Sequence, residues 1–566
     1  MVTTVSAPGK VLLAGGYLVL DPAYTGLVLA TDARFYTTVA TLSDASALRI
    51  RVRSPQFQRA TWEYDLLLPS DDANKAPEAV AEEMRLVQHG EPNPFVALSL
   101  LYAVQLALEK LGVARAREAL AGGMDIVIVG DNDFYSHRTD GQAPTMAALQ
   151  ALEPFHAHNG SLSDVHKTGL GSSAAMTTSL VAALLVHLGV VDVSLSHTLP
   201  LASLGLIHNL AQLAHCAAQG KVGSGFDVSA SVWGNQVYRR FDPALLQTLM
   251  RVEQGHRIVA PTTPPTAPRA PRALWPVLNP SNPLWTPVAP AGATPTAVEG
   301  LIASMSSDTV PRPAPLQLPP GVHMCLADVD AGSNTRTMVG QVSQWRAQHL
   351  DWARQLYSVL AAANQSLVDG LLQLHIMHAM DPRAYADILS RLAALPSTQW
   401  ESLQPTTPLP VLEAFMAVRN AMRSVRAGMR ELGTRSGAPV EPPEMARLLD
   451  TTLSGAPGLL GGGVPGAGGY DALFLLFLSP ASLTSSAPVS APADVCALWQ
   501  QYTELSVGPL LCGADDPACV PTNEKLSSAD EAMRHVAHAL AQARGGLQLT
   551  APESVPGLAP WVSLRS

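Results

Sequence analysis

The chain has few cysteines, few aromatics, little charge and no long hydrophobic run. Five cysteines, at positions 216, 325, 496, 512 and 519, are scattered through 566 residues, and no two form a CxxC pair. That excludes a zinc ribbon and a dense disulfide framework, and free thiols are expected. Charged residues make up 14% of the chain, and the 46 acidic side chains outnumber the 36 basic ones for a net charge of −10. This balance argues against a broad basic face, so no nucleic-acid partner is expected, although a local basic pocket is compatible with it. The apolar stretch Leu180–Val191 is too short to cross a bilayer and contains His187, so no membrane span is expected. Near the N-terminus, Val11–Leu20 is framed by Pro8-Gly9 and Asp21-Pro22 without a cleavage site. It reads as two strands and a Gly turn rather than a signal peptide. Neither a GxxxxGK[ST] loop nor an HRD and DFG pair occurs. A soluble, cytoplasmic protein is the expectation.

What the chain does have is core material and breakers. Hydrophobic residues are 47% of it, which excludes wholesale disorder. Sixteen of the 46 prolines fall between Pro261 and Pro320. Because each proline removes an N–H and fixes φ, residues 260–320 are expected to sustain neither helix nor central strand. They read as a surface insertion, deletable without great loss, between an N-terminal lobe at 1–259 and a C-terminal lobe at 321–566. Short β-rich runs crowd residues 1–60, at 11–13, 17–20, 27–30, 36–41 and 48–53. Helical patterns cover 96–111, 172–188, 199–219, 345–372, 382–395 and 410–432. Strands are expected at 124–129, 190–195 and 472–478. Alternating β and α segments with long late helices indicate an α+β protein of two fused lobes.

The densest chemistry lies in Lys167-Thr168-Gly169-Leu170-Gly171-Ser172-Ser173-Ala174, which opens the helix at 172–188. Glycines admit close backbone approach, and a helix N-terminus offers N–H groups and a positive dipole end, the combination that binds phosphate. Hydroxyls at Ser172 and Ser173 add donors for phosphate or ligands for Mg²⁺. Three readings stay open on these residues alone. One is a capped helix, one is a dinucleotide fingerprint of the GxGxxA type, and one is an ATP-phosphate loop outside the Walker class. The polar run 161–168 does not suit the buried strand that a dinucleotide fold requires.

Three further segments bear on the choice. Ser6-Ala7-Pro8-Gly9-Lys10 places a lysine at a turn entering a strand. Gln219-Gly220-Lys221-Val222-Gly223-Ser224-Gly225-Phe226-Asp227 sets a carboxylate after a tight loop. Gly461 to Asp471 precedes an apolar strand. In this order the segments resemble the signature motifs of the GHMP small-molecule kinase superfamily, most closely its phosphomevalonate kinase branch of the fungal, sterol-pathway type. The stretches Asp131–Ser136 and Gly332–Val339 add to a resemblance spread over about 470 residues.

The resemblance implies a two-lobed fold, with an N-terminal lobe like domain 2 of ribosomal protein S5 and a ferredoxin-like C-terminal lobe. It implies ATP and Mg²⁺ as cofactors and transfer of the γ-phosphoryl group to 5-phosphomevalonate. Small-molecule substrates would be the partners of a monomer or homodimer. Lys10 matches the active-site lysine, and Asp227 matches a carboxylate that is either the base or an orienter. Lys167, Thr168, Gly169, Leu170, Gly171, Ser172, Ser173, Ala174 and Asn132 are the implied nucleotide-binding residues, with Ser173 the metal ligand. Lys221, Ser224, Ser333, Thr335, Arg336, Gly466 and Gly468 are candidates for the substrate. One departure stands out. Relatives that phosphorylate an alcohol carry a glutamate on the helix before Asp227, whereas this chain has His215 near that place, read here as a histidine without a metal role. Phosphorylation of an alcohol such as mevalonate, and a non-catalytic ATP-binding sensor, are the competing functions.

Overall fold

The computed structural model describes residues 2–563 except 43–47, 69–76, 251–257, 260–272, 286–295, 306–311, 330–334, 404–408, 486–488, 515–525, 527 and 544. Ser333 and Cys519 lie outside the described residues. The described strands form two sheets, one in each lobe.

A long hairpin organises the first sheet. β1 (Val2–Ala14) and β2 (Thr25–Thr41) pair antiparallel along nearly their full length. Both are rich in Val, Thr and Leu, and the β-branched Val and Thr in particular suit a pleated, half-buried surface. The sequence indicates a strand only over 11–13, because Pro8-Gly9 reads as a break. The strand instead runs through Pro8, and its register shifts between the pairs Pro8–Arg34 and Lys10–Ala30. An irregularity of this kind is one of the few places in a sheet that accept proline. Gly9 is required beside it, since a Cβ there would lie 2.7 Å from Thr31 Oγ1 and 3.0 Å from Leu170 O.

The sheet widens through β3 (Arg49–Arg53), β4 (Thr61–Leu67), β5 (Arg85–His89), β6 (Met124–Gly130), β7 (Gln236–Arg239), β8 (Ile258–Val259) and β9 (Ala314–Pro315). The helix Ser172–His187 lies on β1 and β2, flanked by the helices Pro94–Leu111 and Leu201–Gln219. Pro94–Leu111 is long and apolar enough to cross a membrane by length and composition alone. It is a core helix here, with Val96 to Leu108 buried.

The second sheet is antiparallel. It comprises β10 (Val322–Val329), β11 (Leu459–Gly463), β12 (Ala472–Leu478) and β13 (Val507–Pro509), in the order β11–β12–β10–β13. The helices Leu350–Met380 and Leu409–Ser436 pack along each other, and Ala529–Gln542 packs on the first of them. β14 (Gln548–Leu549) then returns to the first sheet and pairs with β1 through Val5–Leu549 and Ser6–Gln548. The last part of the segment read as a second lobe therefore completes the first.

Three expectations are corrected. Tyr17–Leu20 is a 3₁₀ turn within Gly16–Leu20, because Gly15 (φ 114°) and Gly16 (φ 42°) turn the chain out of β1. Residues 190–195 form no strand. The 260–320 segment is more than a surface strap, for it holds the helices Trp275–Leu278 and Ala297–Met305 and the strand β9. Pro276 sits in a first helical turn, where its missing N–H costs nothing, and Ala297–Met305 lies in a proline-free interval. The Glu109 carboxylate accepts the N–H groups of Leu274 and Trp275 at 2.8–3.0 Å, and Asn209 Nδ2 donates to Leu278 O at 3.0 Å. Leu278, Trp285 and Val298 are buried.

Because Trp285 fills this seam, Trp285→Ala should destabilise the chain by about 3 kcal/mol in denaturant unfolding. A wild-type midpoint would show that the segment is a dispensable surface feature.

Candidate active site

The strand irregularity that accommodates Pro8 also aims the next lysine. Lys10 N–H donates to Leu170 O at 2.9 Å, and its Nζ donates to Gly169 O at 2.8 Å. One residue of β1 is thus tied twice to the loop that opens the helix Ser172–His187. Gly169 (φ 77°) and Gly171 (φ 79°) both occupy the left-handed region. At Gly171 a Cβ would lie 2.9 Å from Lys10 Cε, so a side chain would displace the lysine. Gly171 is the N-cap, which places the first-turn N–H groups of Ser172 and Ser173 at the loop.

A second loop faces this one. Asp227 lies in the first turn of the helix Phe226–Trp233, whose N-cap is Gly225 at φ 80°. Gln212 Nε2 donates to Gly225 O at 2.7 Å, and the Tyr238 hydroxyl donates to Ser224 O at 2.6 Å. Arg240 donates to Leu20 O at 2.6 Å and also to the carbonyls of Val222 and Gly223. His215 is buried between the two loops. Its Nε2 lies 3.1 Å from Ser173 Oγ, 3.2 Å from Gln219 Nε2 and 4.0 Å from Asp227 Oδ2. Burial lowers its pKa, against the opposing pull of Asp227, so the ring is neutral at pH 7.

The third wall comes from the second lobe. The Tyr17 hydroxyl donates to Ala467 O at 2.7 Å, and Gly466 N–H donates to Leu12 O at 3.3 Å. Gly468 (φ 87°) fits so closely against Val440 that a Cβ would overlap its carbonyl. Lys10 feels carboxylates from both lobes. Burial lowers its pKa, while Asp227 and Asp471 raise it.

Two cavities meet at the glycine loop. One, of about 410 Å³, is lined by Lys10, Thr168–Gly171, Lys221–Asp227, Thr335, Gly466, Gly468 and Asp471. The other, of about 800 Å³, is lined by Lys167, Ser172 and Ser173 together with Trp62, Phe95 and Tyr135. An anion at the loop would reach backbone N–H groups, a lysine and two hydroxyls.

Residues 146–235 match the GHMP kinases N terminal domain. A peroxisomal phosphomevalonate kinase of Arabidopsis thaliana is 35% identical over 84% of this chain and 90% of its own length. A phosphomevalonate kinase of Aspergillus fumigatus is 34% identical over 84% and 87%. The crystal structure of a Lin0012 protein from Listeria innocua superposes with a TM-score of 0.50 at 14% identity, covering 85% of this chain and 91% of that one. The chain belongs to the phosphomevalonate kinase family. Its two lobes are those of the GHMP kinase fold.

For a member of this family, most of the residues singled out by sequence converge and a few do not. Lys10, Asp227, Lys221, Ser224, Thr335, Gly466 and Gly468 share one cavity wall with Gly169 and Gly171. Ala174 is fully buried in the helix, so it contributes fit rather than contact. Asn132 is corrected. Its Nδ2 donates to Glu153 O at 3.0 Å and its Oδ1 accepts from His156 N–H at 2.8 Å, so its amide holds a loop and lines neither cavity. Arg336 is exposed and lines neither cavity, and Ser333 lies outside the described residues. Asp471, Arg240 and the bonded state of His215 escaped the sequence reading. Asp471 closes the PGAGGYD run, and its position directly before an apolar strand was the available signal.

Behind the loop, the partly buried Asp131 accepts Arg34 N–H at 2.7 Å, and desolvation pushes its pKa up to about 7. The neighbouring Asp133 is pushed up to about 6, also by burial. A carboxyl that ionises near 3.8 in the unfolded chain and near 7 when folded binds more protons in the native state. Its contribution to stability is complete below about pH 4 and is lost as the pH rises to about 7. The melting temperature of the wild type should therefore fall relative to Asp131→Asn across that window. Parallel pH profiles would refute the shift.

Proposed function

We infer that the chain catalyses ATP-dependent phosphorylation of 5-phosphomevalonate to 5-diphosphomevalonate in the mevalonate route to isoprenoids. A phosphate oxygen of the acceptor forms a bond to the γ-phosphorus, the bond from that phosphorus to the β,γ-bridging oxygen breaks, and ADP leaves. The observation that carries the reading is the convergence of the glycine-loop backbone, Lys10 and Asp227 on one cavity. The choice of acceptor rests on relatives that align along most of the chain.

Phosphoryl transfer between two anions needs alignment and charge neutralisation more than covalent help. In this reading the base and ribose of ATP occupy the larger cavity, and its phosphates lie on the N–H groups at Gly171–Ser173. The acceptor occupies the smaller cavity, with Lys221, Ser224 and Thr335 holding its anionic groups. Lys10 sits between the phosphates, and its fixed bond to Gly169 O keeps the ammonium on the line of transfer.

The donor set suits Mg²⁺ delivered with the nucleotide better than a resident ion. Among the described residues no group of three or more His, Cys, Asp or Glu side chains could hold a metal. Ser173 Oγ, Asp227 and Asp471 are oxygen donors near the loop, and the neutral imidazole of His215 is a poor ligand for so hard a cation. Bound there on the phosphates, Mg²⁺ would supply charge neutralisation. The acceptor phosphate, with a second pKa near 6, is already ionised at neutral pH, so it needs no strong base. Asp227 then orients Lys10 and balances its charge.

A coupled assay with purified enzyme should give ADP release with 5-phosphomevalonate and none with mevalonate. Lys10→Met should lower kcat at least about a hundredfold while the melting temperature persists. Turnover of mevalonate alone would overturn the acceptor, and near-wild-type turnover by the variant would overturn the role of Lys10. Asp227→Asn should slow turnover by less than about a hundredfold, short of the usual contribution of a general base. A larger loss with unchanged KM would make Asp227 the base.

A further inference from the structure

The second lobe holds a further cavity, of about 300 Å³, that contains none of the catalytic residues. It lies between the helices Leu409–Ser436 and Pro443–Gly455 and is backed by Gly461 and Gly462 of β11. Arg423, Arg426 and Arg430 line it, over an apolar floor of Met422, Leu453 and Leu460.

These arginines belong to a series, Arg419, Arg423, Arg426 and Arg430, that recurs along one face of a single helix. Like charges at i,i+4 destabilise a helix unless carboxylates intervene. Two of the four are neutralised. Arg419 donates to Glu401 at 2.6 Å and to Ser397 O at 2.6 Å. Arg426 forks onto Glu441 at 2.7–3.0 Å and reaches Asp450 at 2.6 Å. Arg430 has only a 3.9 Å approach to the Glu441 oxygen that Arg426 already occupies. Arg423 makes no hydrogen bond or ion pair among the described residues, and it feels the opposed charges of Arg419 and Glu401. The carboxylate among the described lining residues, Asp450, is bonded to Arg426, so the Arg423 and Arg430 guanidinium groups face the cavity with no carboxylate within hydrogen-bond distance.

We propose that this cavity is a second anion site, separate from the catalytic cleft, for a small phosphorylated molecule with a short apolar portion. Arg423 and Arg430 provide planar guanidinium donors that can bond phosphate oxygens in pairs, and Met422, Leu453 and Leu460 receive the apolar part. At Gly461 a Cβ would lie 2.7 Å from Met422 Sδ, so the missing side chain keeps this floor in place.

Isothermal titration of the full chain with n-hexyl diphosphate and with inorganic pyrophosphate tests the assignment. Arg423→Ala with Arg430→Ala should weaken hexyl diphosphate binding about tenfold or more and leave turnover unchanged. Both side chains are exposed, so the double variant should keep its melting temperature. Lys10→Met should retain the same binding event. Binding unchanged in the double variant, or abolished by Lys10→Met, would place the ligand in the catalytic cleft and overturn the proposal. Pyrophosphate binding as tightly as the hexyl compound would overturn the ligand class.

Discussion

The catalytic architecture depends on one lysine that is tied at both ends. Lys10 is bonded through its backbone to Leu170 O and through its ammonium to Gly169 O, so a sheet residue and a loop 159 positions later hold each other. A lysine loses roughly 2 kcal/mol of rotamer freedom when fixed, and burial opposes its charge. Neither cost is recovered from packing alone. Carboxylates supply the compensation, Asp227 from the first lobe and Asp471 from the second. The ammonium therefore sits where carboxylates of both lobes meet.

The seam combines apolar packing, in which Tyr17 and Leu18 meet Met338, Trp345 and Val440, with directional polar bonds. Tyr17 and Leu12 of the first lobe bond to Ala467 and Gly466 of the second. On the side of β10, Arg138 spans to Asp328 and to Ser506. Its guanidinium and the Asp328 carboxylate are both mostly buried, at 10% and 12% exposure, so breaking this pair by removing one partner would strand a charge. Directional bonds between lobes fix the width of a cleft in a way that apolar contact does not, since the hydrophobic effect has no preferred angle. A site that must align two anions in line gains from that stiffness.

Much of this was legible from local sequence, because glycine placement reports backbone geometry directly. The positive φ angles at Gly169, Gly171, Gly225, Gly466 and Gly468 fall in the segments that the motifs marked. The apolar strand Ala472–Leu478 was also found with its bounds, since a run buried on both faces has no alternation to misread. The failures are all non-local. Arg240 holds the 222–223 carbonyls from across a loop, Asp471 meets Lys10 across two lobes, and His215 earns a role only through Ser173, 42 positions away. Asn132 failed in the opposite direction. Its residue type suits a ligand and a turn equally, and the turn claimed both ends of its amide. Proline density misled for a related reason, because a proline in a first helical turn or at a strand irregularity breaks nothing.

The charge balance follows from the same geometry. A chain of net charge −10 that handles two polyanions cannot rely on its overall field, which repels them. It must set cations where water is displaced and the effective dielectric is low, since attraction there exceeds that in bulk solvent severalfold. Lys10 meets this condition, and burial lowers its pKa. The exposed Lys167 and Lys221 do not, so their fields reach outward and are screened within about 8 Å at physiological salt. Depth therefore separates Lys10, bonded into the glycine loop, from the two lysines at the surface.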